Sequence, residues 1–437
     1  PEGGCTSNGQ CSGGQNQCVI PDPIWVVTEA PLIEDNTVIF NESFFQGQTV
    51  SGGGIFVGGT QPLTPGGLSA GAGNVQVNGN LIQGNSAGAG DGGGIRLASV
   101  NGQDVAKNPD NTVPSQRQDP APWSAVDISN NMIVNNVAGL AGGGISIQDA
   151  VDARIINNTI ANNDSLATAG EAFPPGNPNQ STPQPGAGIV TRAHSAALAA
   201  AGNVGTFSDP AAFANNIVWK NRQFFFIVAD GTPGDPASPG TWGLCPDIGG
   251  ALGLGCPGGD EPVYDDLAVI GTAGTLACDP AASCIFTGDG TDPLFLAEYV
   301  NGNRSSIFQP EIATPIQAPP AFDEGGNFIR PKYGPLALYD DAAPDDGLPG
   351  VLFGDYHIQE TSPAANAGAD TWNIWGDTSI WDDALWFDFD FEQRPAPNPS
   401  NGDIGADEVS ETAKESQADR QRPIERAKDG PREKIGN

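Results

Sequence analysis

Basic residues are scarce in this chain of 437 residues, which carries 18 Lys and Arg against 52 Asp and Glu and has a formal net charge of −34. A surface this acidic repels phosphate backbones, which excludes nucleic acid as a partner. Histidine is scarcer still, with two in the whole chain, and no CxxCH motif occurs. Multicopper and c-type haem chemistry are therefore excluded. No apolar run approaches the ~18 residues of a membrane-spanning helix.

The composition is also poor in residues that favour helices and rich in residues that interrupt them. Charged residues make up 16% and hydrophobic residues 38% of the chain, whereas there are 60 Gly and 38 Pro. Because Gly and Pro interrupt helices and favour turns, this composition predicts an all-β, loop-rich fold.

What the chain does contain is repetition. A phrase Gly-Gly-Gly-Ile starts at Gly52, Gly92 and Gly142, and a variant starts at Gly186, so the starts lie 40, 50 and 44 residues apart. A second phrase, Asn-x-(Ile/Val)-x-x-Asn, occurs at 80–85, 131–136, 158–163 and 216–221. Such periodicity indicates a stacked array. With roughly 20 to 25 residues per solenoid rung, the spacing predicts two rungs per Gly phrase and about eight coils over residues 50–226.

The repeated Asn and Ile residues predict columns along the stack. Asn tolerates left-handed backbone angles at a corner, and its amide both donates and accepts hydrogen bonds. We expect an internal amide ladder formed by Asn80, Asn131, Asn158 and Asn216. We expect two aliphatic columns, one of Ile55, Ile95, Ile145 and Ile189 and the other of Ile82, Ile133, Ile160 and Val218. Gly in the Gly phrase would occupy a corner where a Cβ would crowd the next coil.

The Asn and Gly phrases resemble those of right-handed parallel β-helix proteins of the pectate-lyase-like kind. Later motifs look like the C-terminal signature of secreted bacterial β-helix proteins of the choice-of-anchor type. These motifs are Asn-Asn-Ile-Val-Trp at 215–219, Asp-Pro-Leu-Phe at 292–295, Asp-Tyr-His-Ile-Gln at 355–359, Ser-Pro-Ala-Ala-Asn-Ala-Gly at 362–368, Asp388 to Asp390 with Arg394, and Asp-Ile-Gly-Ala-Asp-Glu at 403–408.

The resemblance implies a right-handed parallel β-helix with two long loop insertions, at 227–287 and 296–353, and a C-terminal cap. It divides the chain into a cysteine-containing segment (1–22), β-helix coils (23–226), a disulfide-stabilised insertion (227–291), C-terminal coils with a Pro/Asp-rich insertion and the cap (292–408), and a charged tail (409–437). Long insertions on a solenoid lie at its turns and frequently bind a partner.

Cysteines fall into an early group of three and a late group of four. The late group, in a Gly- and Pro-rich stretch, predicts two disulfides in an oxidising compartment, most simply Cys245–Cys256 and Cys278–Cys284. A metal site is the alternative, although no CxxC pair supports it. The early group has three cysteines, Cys5, Cys11 and Cys18, so one of them cannot pair within the group. We therefore expect its partner cysteine in a longer precursor.

Candidate catalytic residues are few. Asp164, Asp265 with Asp266, and Arg330 to Lys332 imitate parts of a polygalacturonase site, but its Gly-His-Gly is missing. His194 is either a general base near Arg192 or a solvated turn residue. The resemblance makes His357 structural.

Carboxylate clusters and aromatic residues supply the candidate binding sites. Calcium, which prefers oxygen ligands, is predicted either at Asp388, Asp390 and Asp403 or at Asp289 and Asp292, although solvated acidic loops are the alternative. The candidate partner or sugar-binding residues, which would otherwise be buried as a plug, are Trp372, Trp375, Trp381 and Trp386.

Together these patterns predict a secreted or cell-surface scaffold, structural or adhesive, that presents its loops to a protein partner or to further copies of itself. We expect it to be the C-terminal module or a subunit of a larger exported assembly. The alternative is a lyase, glycoside hydrolase or sugar-binding β-helix that acts on a polysaccharide. An enzyme should present a groove lined by Asp, Arg, Lys and aromatic residues, whereas a scaffold should present amides, hydroxyls and small residues.

Overall fold

A computed structural model describes residues 31–43, 51–60, 66–109, 123–177, 179–230, 241–246, 262–280, 282–299, 306–308, 354–369, 387–392, 394 and 402–409. Short strands dominate this part of the chain. The helices within it are α1 (Gln103–Lys107) and α2 (Ala196–Ala199), with 3-10 turns at Gly170–Ala172 and Thr287–Asp289. None of the described helices is long and apolar enough to cross a membrane.

The chain passes through four sheets, A, B, C and D, in the same order in each repeat. The strands of the first two repeats are β1 (Leu32–Glu34), β2 (Thr37–Ile39), β3 (Glu42–Ser43), β4 (Ile55–Gly58), β5 (Val75–Asn78), β6 (Leu81–Gln83), β7 (Ser86–Ala87) and β8 (Ile95–Ala98). The next two repeats contain β9 (Val126–Ser129), β10 (Met132–Val134), β11 (Val137–Ala138), β12 (Ile145–Gln148), β13 (Ala153–Ile156), β14 (Thr159–Ala161), β15 (Asp164–Ser165) and β16 (Ile189–Arg192).

The fifth repeat begins with β17 (Ala212–Ala214), β18 (Ile217–Trp219) and β19 (Arg222–Gln223). The remaining strands are β20 (Phe225–Asp230), β21 (Thr241–Cys245), β22 (Val263–Tyr264), β23 (Leu267–Ile270), β24 (Ile285–Phe286), β25 (Phe295–Ala297), β26 (Ser306–Phe308) and β27 (Asp355–Ile358). Sheets A (β1-β5-β9-β13-β17), B (β2-β6-β10-β14-β18-β24) and D (β4-β8-β12-β16-β23) are parallel. Sheet C (β3-β7-β11-β15-β19-β22) ends in the antiparallel pair β19–β22. Two antiparallel groups, β20-β21-β26 and β25-β27, complete the described strands.

One buried core joins three of these sheets. Alternate residues of each strand point inward, so Ile128 from sheet A, Ile133 from sheet B and Ile145 from sheet D meet in a single cluster. Both predicted aliphatic columns are confirmed. Ile95 pairs with Ile55 and Ile145, and Ile133 pairs with Ile82 and Ile160.

The predicted two coils per Gly phrase are wrong, because Ile55 pairs directly with Ile95 in the neighbouring strand. One Gly phrase therefore marks one layer, and within residues 50–226 sheet D has four strands, β4, β8, β12 and β16, instead of the expected eight coils. A layer is longer than a usual rung because it holds four strands and turns of unequal length: Asn131 and Asn158 are 27 residues apart, whereas Asn158 and Asn216 are 58 apart.

The Gly phrases lie where two layers approach closely, as the sequence predicted. A Cβ added to Gly93 would lie 2.5 Å from the carbonyl oxygens of both Gly143 and Val137. These are backbone atoms, which a side-chain rotation cannot move away. The phrase therefore requires glycine for space.

The C-terminal layer is defined here as residues 354–369, 387–392, 394 and 402–409, which are the described part of the predicted cap region. It covers the outer face of sheet B, with contacts that run from Asn130 in the third repeat to Asn215 in the fifth. Its apolar side chains share a buried cluster with outward-facing residues of sheet B; the members include Met132, Val134, Ala161, Ile217, Trp219, Ile358, Ala364, Ile404 and Ala406.

Part of the predicted 227–291 insertion also belongs to the stack. β22, β23 and β24 extend sheets C, D and B, respectively. The sequence motifs marked the first four repeats clearly, but these later strands carry neither Asn nor Gly phrases.

Candidate functional site

A continuous amide ladder runs inside the stack. Asn80 Nδ2 donates to Asn131 Oδ1 at 2.9 Å, Asn131 Nδ2 to Asn158 Oδ1 at 3.0 Å, and Asn158 Nδ2 to Asn216 Oδ1 at 3.0 Å. The backbone N–H of each donor residue reaches the same acceptor oxygen. The four residues predicted as a ladder thus lie in one column, which Asn36 extends at the exposed first repeat.

A second ladder, which the sequence analysis did not recognise as one, uses the other Asn of each phrase. Asn85, Asn136, Asn163 and Asn221 are linked by Nδ2-to-Oδ1 hydrogen bonds of 2.9 to 3.0 Å. Asn221 Nδ2 donates in turn to Asp266 Oδ1 at 3.0 Å, so a carboxylate ends this ladder. The signal was present in the sequence, because both Asn residues of the phrase repeat with the same spacing.

At Asn131 and Asn216, the residue that precedes the ladder asparagine is also an asparagine and has a different role. Asn130 and Asn215 adopt left-handed φ angles of 53° and 51° at the corner between sheets A and B. Asn130 Nδ2 donates to the carbonyl of Phe387, and Asn215 Nδ2 donates to that of Ala369. The paired asparagines therefore bind in two directions, one inward along the ladder and one outward to the C-terminal layer.

Arg394 is the main polar anchor of the C-terminal layer and is only 2% exposed. Its Nη2 donates to Asn130 Oδ1 at 3.2 Å and to the carbonyl of Gly405 at 2.9 Å. Its Nη1 donates to Glu408 Oε2 and to the carbonyl of Asp403, both at 3.2 Å. Arg394 thus holds this segment through an ion pair with Glu408 and through backbone carbonyls.

Buried carboxylates surround that anchor. Asp388 Oδ1 accepts from the N–H groups of Asp390 and Glu392, and its Oδ2 accepts from that of Glu408. Burial raises the pKa of Asp388 to about 7, and it raises the pKa of Glu408 to about 7 as well, against the opposing effect of Arg394. The C-terminal layer thus concentrates carboxyl groups in an interior region.

His357 lies in the same region with carboxylates on two sides. Its Nδ1 contacts the Asp355 carboxylate, and its Nε2 lies 2.9 Å from Asp390 Oδ2. One ligand atom each from His357, Asp390 and Asp407 lies within 4.8 Å of the other two. Burial by itself would lower the pKa of His357, but the carboxylates of Asp355 and Asp390 raise it well above its usual value.

The sequence-predicted calcium residues are thus divided among different places. Asp390 belongs to the His357 group, whereas Asp388 and Asp403 organise backbone turns; Asp403 accepts from the N–H groups of Asn366 and Val409. Asp289 and Asp292 lie on an exposed turn, where they accept from the N–H groups of Phe286 and Leu294.

A second charged group lies on the outer face of sheet D. Asp91 Oδ1 accepts a hydrogen bond from Arg192 Nη2 at 2.8 Å. Asp91 Oδ2 forms ion-pair contacts with Arg192 Nε at 2.6 Å and with Arg96 Nη1 at 3.6 Å. Arg96 also donates to Ser146 at 2.6 Å and to Gln148 at 2.8 Å in the next repeat. Burial lowers the pKa of Arg96, and the neighbouring Asp91 opposes this shift. These contacts hold both guanidinium groups against the sheet.

The residues that imitate a hydrolase site are engaged in structural contacts. Asp164 forms a buried bidentate pair with Arg222 at 2.8 and 2.9 Å. Asp265 accepts from Gly186 N–H, and Asp266 accepts from Asn221 and Thr287. His194 is buried next to Asp149, with Nδ1 3.4 Å from Oδ1, so the prediction of a solvated turn residue is wrong. Arg330 and Lys332 lie outside the described residues.

The predicted disulfides lie partly within the described residues, and the predicted tryptophan site lies outside them. Cys278 and Cys284 form a disulfide, and Cys245 is also disulfide-bonded. The other predicted residues, Cys256 and the four tryptophans Trp372, Trp375, Trp381 and Trp386, lie outside the described residues, as do segment 1–22 and residues 410–437 of the tail.

Comparisons with known proteins give no further assignment. No family model, no curated protein and no solved structure matches this chain. The fold and the contacts of the described residues therefore carry the functional argument.

Proposed function

We propose that this chain is a rigid extracellular or cell-surface scaffold, built as a right-handed parallel β-helix, which presents its loops to a partner. One observation carries the proposal: the polar groups that an enzyme would use are engaged in holding the stack together. Asp164 is paired with Arg222, Asp266 ends an amide ladder, and Arg394 fastens the C-terminal layer. Such networks favour rigidity, because removing one member leaves its buried neighbours unsatisfied.

The order of the strands supports the β-helix. The chain enters the four sheets in a constant order, and inward side chains of sheets A, B and D share one core. Amide ladders and Gly corners are what successive turns about one axis require, since equivalent residues then lie above one another. Right-handedness rests on the family resemblance of the Asn and Gly phrases.

An extracellular location is supported by the disulfide between Cys278 and Cys284 and by the second one at Cys245. Disulfides persist in oxidising compartments. The strong negative charge favours a partner with basic patches, or a cation-bridged contact with another copy, and it disfavours an anionic polymer. The part played by calcium stays a prediction, for which the carboxylates at 289 and 292 are the exposed candidates.

The decisive experiment is isolation of the chain from its native source under mild conditions, followed by mass spectrometry of what remains attached. We expect one recurrent protein partner or a homo-oligomer. The purified chain should also leave polygalacturonate, alginate and other uronic-acid polymers intact, as measured by reducing-end release and by absorbance of unsaturated products. Degradation of any of these polymers would overturn the scaffold proposal.

The second candidate is a sugar-binding or polysaccharide-cleaving β-helix, which the Asp91, Arg96 and Arg192 group favours. Arginine forks suit carboxylate and hydroxyl groups of sugars. If this candidate is correct, Arg192→Gln should abolish binding to an acidic glycan on an array, whereas Lys107→Gln on α1 should not. Arg192 is the better variant because it is more exposed than Arg96.

A further inference from the structure

Three separated segments of the C-terminal layer converge on one small group of side chains. β27 supplies His357, the turn at 388–392 supplies Asp390, and the segment 402–409 supplies Asp407. His357 is 8% and Asp407 2% exposed. We propose that this group is a binding site for a divalent transition metal ion, which fastens the three segments together.

The orientation of His357 is the first argument. Its Nδ1 is bound to the carboxylate of Asp355, and the ring lies edge-on to Phe389 with centroids 5.8 Å apart. Both contacts fix the ring so that Nε2 lies against Asp390, and one ligand atom of Asp407 lies within 4.8 Å of those of His357 and Asp390. Metal-binding histidines usually donate their other ring N–H to a carboxylate or carbonyl in this way, which sets the tautomer and raises ligand basicity.

The second argument is the geometry at Nε2 itself. This atom lies 2.9 Å from Asp390 Oδ2, yet it is buried and makes no hydrogen bond with any atom of the described residues. This distance is short enough for a hydrogen bond, so it is the angle between the two groups that does not fit one. Two ligand atoms that bind one ion point towards a common centre instead of towards each other.

The backbone around the group is held by bonds that do not involve an ion. Asp390 N–H donates to Asp388 Oδ1 at 2.8 Å, and Ile358 N–H donates to Asp407 Oδ2 at 2.8 Å. β27 is fixed by pairing with β25. The ligands are therefore positioned beforehand, as tight metal binding requires.

The ligand set selects the kind of ion. An imidazole nitrogen with two carboxylates suits Zn²⁺ or Mn²⁺, whereas Ca²⁺ prefers six to eight oxygen ligands. With metal–ligand bonds of about 2.0 to 2.2 Å, adjacent ligand atoms lie roughly 3 Å apart at octahedral angles and about 3.3 to 3.6 Å apart at tetrahedral angles. The 2.9 Å between Nε2 and Oδ2 therefore fits an octahedral arrangement. A divalent cation would also offset the charges of Asp355, Asp390 and Asp407. This assignment differs from the calcium site predicted at Asp388, Asp390 and Asp403.

The test is metal binding by the full chain after treatment with EDTA and dialysis. Isothermal titration with ZnCl₂ and MnCl₂ should show one site per chain, with much weaker binding of CaCl₂. His357→Gln and Asp407→Asn should each weaken Zn²⁺ binding by at least about 100-fold, and Asp355→Asn by about 10- to 100-fold. Asp289→Asn and Asp292→Asn, on the exposed turn, are the matched controls and should leave the affinity unchanged.

A spectroscopic measurement on the unaltered chain removes the possibility that a variant only misfolds. X-ray absorption of the Zn²⁺-loaded protein should show a first shell of nitrogen and oxygen at about 2.0 to 2.2 Å, with the multiple-scattering signature of one imidazole and no sulfur. The proposal is overturned if neither Zn²⁺ nor Mn²⁺ binds at millimolar concentration. Zn²⁺ binding that survives His357→Gln, or a first shell without imidazole, would equally overturn it.

Discussion

Buried polar groups on the two faces of sheet B are paired by different kinds of side chain. On the inner side, neutral amides of Asn131, Asn158 and their equivalents form ladders that run through the stack. On the outer side, the C-terminal layer is held by Arg394, His357 and many carboxylates. An amide carries both a donor and an acceptor, so identical residues can stack without accumulating charge. Carboxylates cannot, and each one that is buried needs a donor or a cation.

This difference predicts which part of the molecule should have a stability that does not depend on charge and which part should have one that does. The ladder should respond mainly to loss of a rung, since amides do not titrate. The C-terminal layer should detach from the stack when Arg394 is lost, while the stack remains folded. Its polar contacts with the stack run through a few corner residues such as Asn130 and Asn215.

The largest effect is expected for Asn158→Ala in the middle of the first ladder. The amide of Asn158 donates to Asn216 Oδ1 and to the carbonyls of Ile128 and Ile156, and it accepts from Asn131. The buried partners would remain without hydrogen bonds, at about 1 to 3 kcal/mol each. We therefore expect the free energy of unfolding to fall by roughly 4 kcal/mol or more, as measured by urea denaturation followed by far-UV circular dichroism.

Asn36→Ala is the matched control, because Asn36 belongs to the same ladder but lies at its exposed end. Water can replace its bonds, so a loss of about 1 kcal/mol or less is expected. If both variants lost the same free energy of unfolding, burial would not determine how much a ladder residue contributes to stability.

A smaller and more local effect is expected for Arg394→Gln. The substitution removes hydrogen bonds to Glu408, Asn130 and the 403–406 carbonyls and leaves buried acids without their cation. The cost is about 3 kcal/mol, confined to the C-terminal layer. Hydrogen exchange should therefore become fast at 402–409 while the amides of β9 to β16 keep their protection. Loss of protection throughout the stack would show that the layer and the stack unfold as one unit.

The same contrast explains what the sequence could and could not predict. The all-β class, the aliphatic columns and the need for Gly at Gly93 follow from local patterns that repeat. The number of layers was wrong, because loop lengths such as the turn between β8 and β9 are not encoded in the phrase itself. The position of the C-terminal layer was missed for a related reason: its contacts join Arg394 to Asn130 and Ala406 to Thr159, pairs separated by 264 and 247 residues. The His357 group likewise forms only after three distant segments have packed.

The smallest effect is expected at Asp266, the one carboxylate that ends an amide ladder in the described residues. Burial raises its pKa above the usual value, against hydrogen bonds from Asn221 and Thr287 that lower it. For a carboxyl whose pKa is raised by folding, the stabilising contribution is complete below the unfolded value of about 4 and is lost as the pH rises through the higher folded value. The contribution of Asp266 to stability should therefore decline as the pH rises above about 4.

Asp266→Asn tests this directly, because an amide can still accept from Asn221 but does not titrate. Its Nδ2 would face the N–H of Thr287, so some stability is lost at every pH. The measurement is the difference in free energy of unfolding between pH 5 and pH 8, which should shrink in the variant. Asp265 and Asp279, whose pKa values burial also raises, are common to both proteins and cancel in the comparison. An unchanged difference would mean that the end of the ladder is as insensitive to pH as its interior.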